Sequence, residues 1–303
     1  MNGILLTGAS GFLGKNLVKE ILNTTNYSLF LVEHTESLNF LKNRYPSRVE
    51  LVGYSYDELR RQFVSNDVEG VIHCATNYGR TSQNIADILP ANLTLPVQLL
   101  ELLREFKGNF FLNIDSFFNK ESKRYSPLIN YSLSKRALKS WFPSFTDDIL
   151  IVNVILEHVY GPGDSESKFI PHILSMMIAN EQDRLALTNG EQKRDFVFID
   201  DVVGALLLIL KNSKGIGSGF SQFEIGTGHS ISIREFINVA TDLTKTTVIP
   251  EFGALPIDKY EILDSRANLT ALRNIGWEPK TSIKNGLSKC VDYLKFPHKF
   301  ISH

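Results

Sequence analysis

Of the ten tyrosines in this 303-residue chain, Tyr131 alone is followed four positions later by a lysine, Lys135, in the stretch YSLSK. On a helix, positions i and i+4 share a face, so the phenol and the ammonium can meet at one site. A free phenol titrates near pH 10, and a neighbouring cation favours the phenolate. Such a pair can exchange a proton with a reacting oxygen, and Lys135 can also hydrogen-bond a nicotinamide ribose. The competing interpretation is an amphipathic helix with a packed tyrosine and a solvated lysine. A second chemical element must accompany the pair before it argues for catalysis.

That element lies near the start of the chain. LLTGASGFLG spaces Gly8, Gly11 and Gly14 as G-x-x-G-x-x-G between an apolar run and an amphipathic one. Glycines permit a tight turn and close backbone approach, and the free N–H groups of the following helix then hold a pyrophosphate. The second apolar run ends in LVEH, placing Glu33 where a carboxylate accepts hydrogen bonds from an adenosine ribose. It would repel a 2′-phosphate, which favours NAD(H), whereas His34 could sit beside that phosphate. A solvated strand-end carboxylate is the plainer alternative for Glu33.

These residues need a scaffold that converges on one edge. The runs GILLTG, YSLFLVE, RVELVG, GVIHCA, GNFFLNI and DILIVNVIL read as strands, the fifth ending at Ile114. Between them lie helical patterns at Phe12–Leu22, Leu38–Tyr45, from Ser55 (capped by Glu58), Pro90–Phe106 and Leu128–Trp141. Continuous apolar strands alternating with helices indicate a parallel sheet covered on both faces. After VYGPGD, Val159–Asp164, the rhythm breaks into shorter mixed elements. The expected fold is α/β: a Rossmann doubly wound parallel sheet with a smaller C-terminal α+β substrate domain. Residues 1–160 would form the first domain and 161–303 the second, with chain around 190–226 returning to the sheet.

Bulk composition narrows the partners. A formal net charge of −1 offers no positive field for nucleic acid or an anionic membrane. The longest apolar run, ALLLIL, is far short of a membrane span. The two cysteines form no disulfide framework and the histidines lack metal-ligand spacing, so no metal is expected. GILLTG already opens a strand at Gly3, leaving no room for a signal peptide, and a cytoplasmic setting is expected.

Taken with VIHCA (Val71–Ala75), VYGP (Val159–Pro162), RDFVFIDDVV (Arg194–Val203) and NIGWEPKTSIKNGL (Asn274–Leu287), these motifs resemble the extended short-chain dehydrogenase/reductase family. The resemblance spans nearly the whole chain and implies a nucleotide-sugar substrate. It implies coenzyme contacts at Gly8, Ser10, Gly11, Phe12, Leu13 and Gly14, at Cys74, Ala75 and Thr76, and at Asn92, Lys135 and His158. It implies substrate contacts at Thr76, Ser116, Tyr131, His158, Lys168 and Phe169, with Arg194 on the diphosphate and Lys259 as a second cation. A guanidinium suits that task because it grips phosphate oxygens bidentately. A homodimer is implied too, pairing residues 90–106 and 128–145 of each copy in a four-helix bundle.

Within the family, FLNIDSFF, EHVYGPGD with KFIP, and GEQKRDFVFIDDVV are most similar to a branch that reduces the 4-keto group of a CDP-4-keto-3,6-dideoxyhexose for O-antigen synthesis. That branch uses NADPH, so the resemblance implies NADP(H) where Glu33 points to NAD(H), and the coenzyme stays undecided. The alternatives are a 4-epimerase or dehydratase that retains NAD, a reductase of a dTDP-4-keto-6-deoxyhexose, and a non-catalytic dinucleotide-binding sensor. Two departures, at Ile114 and Ile155, motivate the sensor. Counting back from SFFN, the family's substrate-contacting hydroxyl falls at Ile114, which has none. Ser116, roughly 7 Å further along a continuing strand, and Thr76 are the nearest replacements. On this register, Ile114→Thr should raise turnover. Ile155 also stands where relatives often carry arginine.

Overall fold

The computed structural model describes residues 3–33, 36–79, 84–120, 128–213 and 217–297. Two compact units emerge, Met1–Ile155 with Leu206–Phe223, and Leu156–Ala205 with Glu224–His303. The return to the first unit is thus narrower than residues 190–226.

The first unit is built on seven strands: β1 (Gly3–Thr7), β2 (Ser28–Val32), β3 (Val49–Val52), β4 (Val68–His73), β5 (Phe110–Ser116), β6 (Leu150–Leu156) and a late strand, Gly219–Ile225. Their order is late strand, β6, β5, β4, β1, β2, β3. β1 runs parallel to both β2 and β4, β2 to β3, and β4 to β5. The chain reverses its direction of winding between β1 and β4, the crevice where open α/β sheets bind ligands. Every residue of β1, β5 and β6 is buried, as strands covered on both faces must be.

Helices α1 (Phe12–Thr24), α2 (Asn39–Arg44) and α3 (Tyr56–Ser65) join the early strands. The Ser55 hydroxyl caps α3 by accepting the Glu58 N–H. The helix expected at Pro90–Phe106 begins earlier. It comprises α4 (Ile85–Leu89), a π-turn at Pro90–Thr94 and α5 (Leu95–Glu105). Pro90 sits inside it because the widened turn accommodates a residue that has no N–H and whose ring crowds the preceding carbonyls. Among the described residues this helix alone has the length and apolarity to cross a membrane. Its Leu99, Leu100, Leu102 and Leu103 are fully buried in the core against residues such as Phe111 and Leu138. Helix α6 (Ile129–Trp141) carries the YSLSK stretch.

The second unit starts with β7 (His158–Tyr160) and α7 (Phe169–Ala179), and closes with the helices Ile233–Thr244, Thr270–Asn274 and Ile283–Lys295 and small sheets of two and three strands. Asp195, fully buried, ties three of its segments together. It accepts the Thr227 N–H (2.7 Å), the Gly228 N–H (2.9 Å) and the Ala267 N–H (3.1 Å). Burying this carboxylate is tolerated because backbone donors satisfy both oxygens.

Candidate active site

The β1–α1 turn is shaped by what its glycines lack. Gly8 adopts φ +73°, and a side chain there would meet the backbone of Ala75 at 2.6 Å. A Cβ on Gly14 would lie 2.1 Å from the Gly8 carbonyl oxygen. Gly11 caps α1 with no side-chain hydrogen bond and no acidic residue in the first turn, so no side-chain charge offsets the positive dipole end of the helix. That cradle fits a dinucleotide pyrophosphate. Ser10, Phe12 and Leu13 lie in and just after the same turn. Thr7 braces it against the end of β4, hydrogen-bonding His73 Nδ1 at 2.8 Å and accepting the Ala75 N–H at 3.2 Å.

Glu33 directly follows β2, half-buried, its N–H bonded to Val52 O at 3.1 Å. Its charge, added to burial, raises the Tyr54 phenol above the ordinary value. His34 lies outside the described residues.

Tyr131 is buried on α6 at the ends of β4 and β5. Its ring lies 5.0 Å from that of Tyr78 and 6.2 Å, edge-on, from that of Phe118. Burial, then Tyr78 and Asp115, push the phenol well above its usual range, while hydrogen bonds from Ser116 and Thr76 act in the opposite sense. The phenol therefore keeps its proton at neutral pH, the state an acid needs. The Tyr131–Lys135 spacing alone predicts the reverse, a lysine drawing the phenol down. Lys135 instead anchors its ammonium on the carbonyl of Ile114 at 2.8 Å, and burial pulls its own pKa below the lysine range against the opposing pull of Asp115 and Cys74.

Ile114 has no hydroxyl, and the nearest one along the strand is that of Ser116. Strand β5 continues through Ser116, two residues past the Ile114 end read from the sequence. Ser116 Oγ accepts the Phe118 N–H at 3.4 Å, which leaves its own proton to donate. Ile114 contributes its backbone, and Thr76 stands across the site as a second hydroxyl.

Asn92, expected against the coenzyme, is fully buried and turned inward. Its Oδ1 accepts from Asn77 N (2.7 Å) and Thr76 Oγ1 (3.3 Å); its Nδ2 donates to Asn77 O and Ser134 Oγ, both 2.9 Å. All four hydrogen-bonding positions are used within the protein, so Asn92 fixes the loop carrying Thr76 to α6 instead of touching a ligand. Ser134 in turn donates to Tyr131 O at 2.8 Å. Cys74, beside the cradle, is pushed up to about 12 by burial, with Lys135 opposing, and stays a neutral thiol.

The second unit places its residues differently. Arg194 is buried, and its guanidinium donates to the carbonyls of Lys193 (2.8 Å) and Ile262 (2.5 Å) and pairs with Glu261. His158 lies edge-on to Phe196 at 5.7 Å, and burial, then Arg194, hold it well below the ordinary histidine range. Lys168 caps α7 and pairs with Asp164 at 2.8 Å, and Phe169 packs 5.5 Å from Phe236. Lys259 is exposed, its ammonium 4.6 Å over the Tyr260 ring.

A glycine cradle at the switch point, beside a buried Tyr-Ser-Lys cluster, defines a nicotinamide-coenzyme oxidoreductase of the Rossmann class. The chain belongs to the NAD dependent epimerase/dehydratase family, whose sequence model matches residues 4–226. It is 36% identical over 299 residues to CDP-abequose synthase of Salmonella typhimurium (96% of this chain, 98% of that protein). It is 34% identical over 291 residues to the CDP-abequose synthase of Salmonella muenchen (95% and 96%). In fold it is similar to UDP-glucose 4-epimerase of Thermotoga maritima, solved with UDP-glucose: TM-score 0.82 at 21% identity, covering 98% of this chain and 99% of that one.

Several site residues escaped the sequence reading. Asp115, a carboxylate inside a fully buried strand, carried a usable signal. Tyr78 and Glu261 carried none, because loop residues have no period to betray their partners.

Proposed function

We propose that the protein is a nucleotide-sugar 4-ketoreductase, with a CDP-4-keto-3,6-dideoxyhexose as substrate and an O-antigen sugar nucleotide as product. The observation that carries this is the buried Tyr131 phenol, held protonated and flanked by the Ser116 and Thr76 hydroxyls. Similarity to the two CDP-abequose synthases supplies the nucleotide and sugar. When bound, the nicotinamide coenzyme supplies the hydride. Ser116 orients and polarises the ketone oxygen, and Tyr131 gives its proton to the alkoxide as charge develops there. Lys135 holds a positive charge beside that transfer. Arg194 exchanges Glu261 for the substrate's diphosphate, a bidentate partner of the same charge sign. The sensor alternative draws on Ile114 and Ile155; the buried Tyr131 and Lys135, with Ser116 beside them, support the catalytic reading over it.

By the same resemblance the working unit is a cytoplasmic homodimer. Exposed Ile85 and Leu89 on α4 and Leu133 and Trp141 on α6 would lie in its contact.

The test is a panel of CDP-, dTDP-, UDP- and GDP-linked 4-keto sugars with NADH and NADPH, products identified by NMR. One reduced coenzyme consumed per CDP-4-keto-3,6-dideoxyhexose is expected. A 4-epimer formed without net coenzyme oxidation would replace this reading with an epimerase.

A further inference from the structure

A carboxylate lies where the reaction scheme above has no use for one. Asp115 is 2% exposed, between Ile114, whose carbonyl holds Lys135, and Ser116, whose hydroxyl serves Tyr131. Its Oδ1 accepts the Ser116 N–H at 2.8 Å and Asn119 Nδ2 at 2.7 Å, and its Oδ2 accepts Asn153 Nδ2 at 3.2 Å. Every partner donates, as an ionised carboxylate requires. Among the described residues no cation forms an ion pair with it.

Its supports are neutral amides. Asn153 accepts from Asn113 Nδ2 at 2.7 Å. Its Nδ2 also lies 3.5 Å from Gln222 Oε1, which receives Lys139 Nζ at 2.9 Å. Amides hold the charge in place without cancelling it, so its field remains available to the nearest titratable group.

That group is Lys135, itself 2% exposed. A buried ammonium sheds its proton unless an anion opposes the loss. The titratable groups that act on Lys135 or feel its charge are Cys74 and His73 at the end of β4 and Asp115 on β5, with Tyr131 one turn away on α6. Burial keeps the Cys74 thiol, the His73 ring and the Tyr131 phenol neutral. Tyr78, which faces Tyr131, is a phenol. Asp115 is thus the fixed negative charge of this cluster among the described residues.

We propose that Asp115 is a positioning residue for the reduction: it keeps Lys135 an ammonium and, through the Ser116 N–H and Asn119, aims the Ser116 hydroxyl at Tyr131. This rests on the Tyr-Lys reduction proposed above. Asp115→Asn removes the charge and keeps most of the shape. In the full-length protein the alkaline limb of kcat/KM for 4-keto reduction should move to lower pH by about one unit, because the ammonium and the phenol both lose their protons sooner. Asn153→Leu disturbs the packing but leaves the charge, and should leave the limb in place.

A second arm needs no substrate. The ε-carbon resonance of Lys135 in 13C-lysine-labelled protein, assigned by its loss in Lys135→Met, should titrate at lower pH in Asp115→Asn than in wild type. An unchanged limb and an unchanged midpoint in folded Asp115→Asn overturn the proposal, as does an equal limb shift in Asn153→Leu. If Asp115→Asn fails to fold, Asp115→Ser, which leaves a hydroxyl and space for water, carries the same two measurements. Should wild type reduce none of the sugars, the reaction assignment fails while the lysine titration still decides the role of Asp115.

Discussion

The two units hold their charged site residues in opposite ways. In the first, Tyr131 is buried beside the Ser116 and Thr76 hydroxyls, Lys135 is held on the Ile114 carbonyl, and the fully buried Asn92 locks the surrounding loop to α6. In the second, Arg194 is paired with Glu261 and two backbone carbonyls, so a diphosphate bound there, as proposed, would have to displace protein partners. The acid is preset and the anion grip is exchanged. Preorganisation belongs where charge develops in the transition state, because reorganisation at that moment would raise the barrier. A buried guanidinium without ligand needs a substitute carboxylate, because leaving it unpaired costs several kcal/mol.

Breaking the preset half should have the largest effect. Tyr131→Phe should lower kcat by about 10²–10⁴-fold, the range for a positioned acid, with coenzyme affinity by calorimetry unchanged. In the exchanged half the damage should fall on binding. Arg194→Ala should raise KM for the sugar nucleotide by about 10–100-fold with little change in kcat, matching loss of charge-assisted hydrogen bonds. Glu261→Gln sharpens the contrast, since it weakens the competitor and should lower KM a few-fold in the same assay. At the far end of the cradle, Glu33→Thr should raise the ratio of kcat/KM with NADPH to that with NADH, because it removes a carboxylate that repels a 2′-phosphate.

The smallest effect compares one histidine from each unit, His73 fully buried and His158 half-buried. His73 and His158 are both held neutral, with pKa values well below the ordinary 6.5. A depressed value means that the unfolded chain binds more protons, so stability rises with pH in that window. The contribution is complete above about pH 6.5 and is lost progressively on acidification below it. The Tm should therefore fall between pH 6.5 and 5, and His73→Asn or His158→Asn should each flatten that slope by thermal melts.

The local parts of the site were legible in the sequence. The glycine turn and the Tyr131–Lys135 spacing are encoded within a few residues, and the alternation of runs gave the doubly wound sheet. Ser116 shows where local reading stops. GNFFLNI looks complete because its apolar run ends at Ile114, yet β5 continues through Asp115 and Ser116, whose polar side chains are buried by partners from other elements. Ile114 still lacks the hydroxyl that the resemblance puts there, and the continuing strand carries Ser116, the replacement the sequence offers. Asn92 looked like a ligand contact because nothing in the sequence around Pro90 announces a π-turn that rotates it inward. The Arg194–Glu261 pair joins residues 67 positions apart, beyond any spacing rule.

The most direct test of the account is coenzyme oxidation by a CDP-4-keto-3,6-dideoxyhexose in Ser116→Ala and Ile114→Thr, measured side by side with wild type. Removing the Ser116 hydroxyl should slow turnover by about 10²–10³-fold, as loss of one oxyanion donor does. Ile114→Thr should leave it unchanged or lower. Wild-type turnover in Ser116→Ala, together with faster turnover in Ile114→Thr, would return the missing hydroxyl to position 114 and contradict the assignment of Ser116.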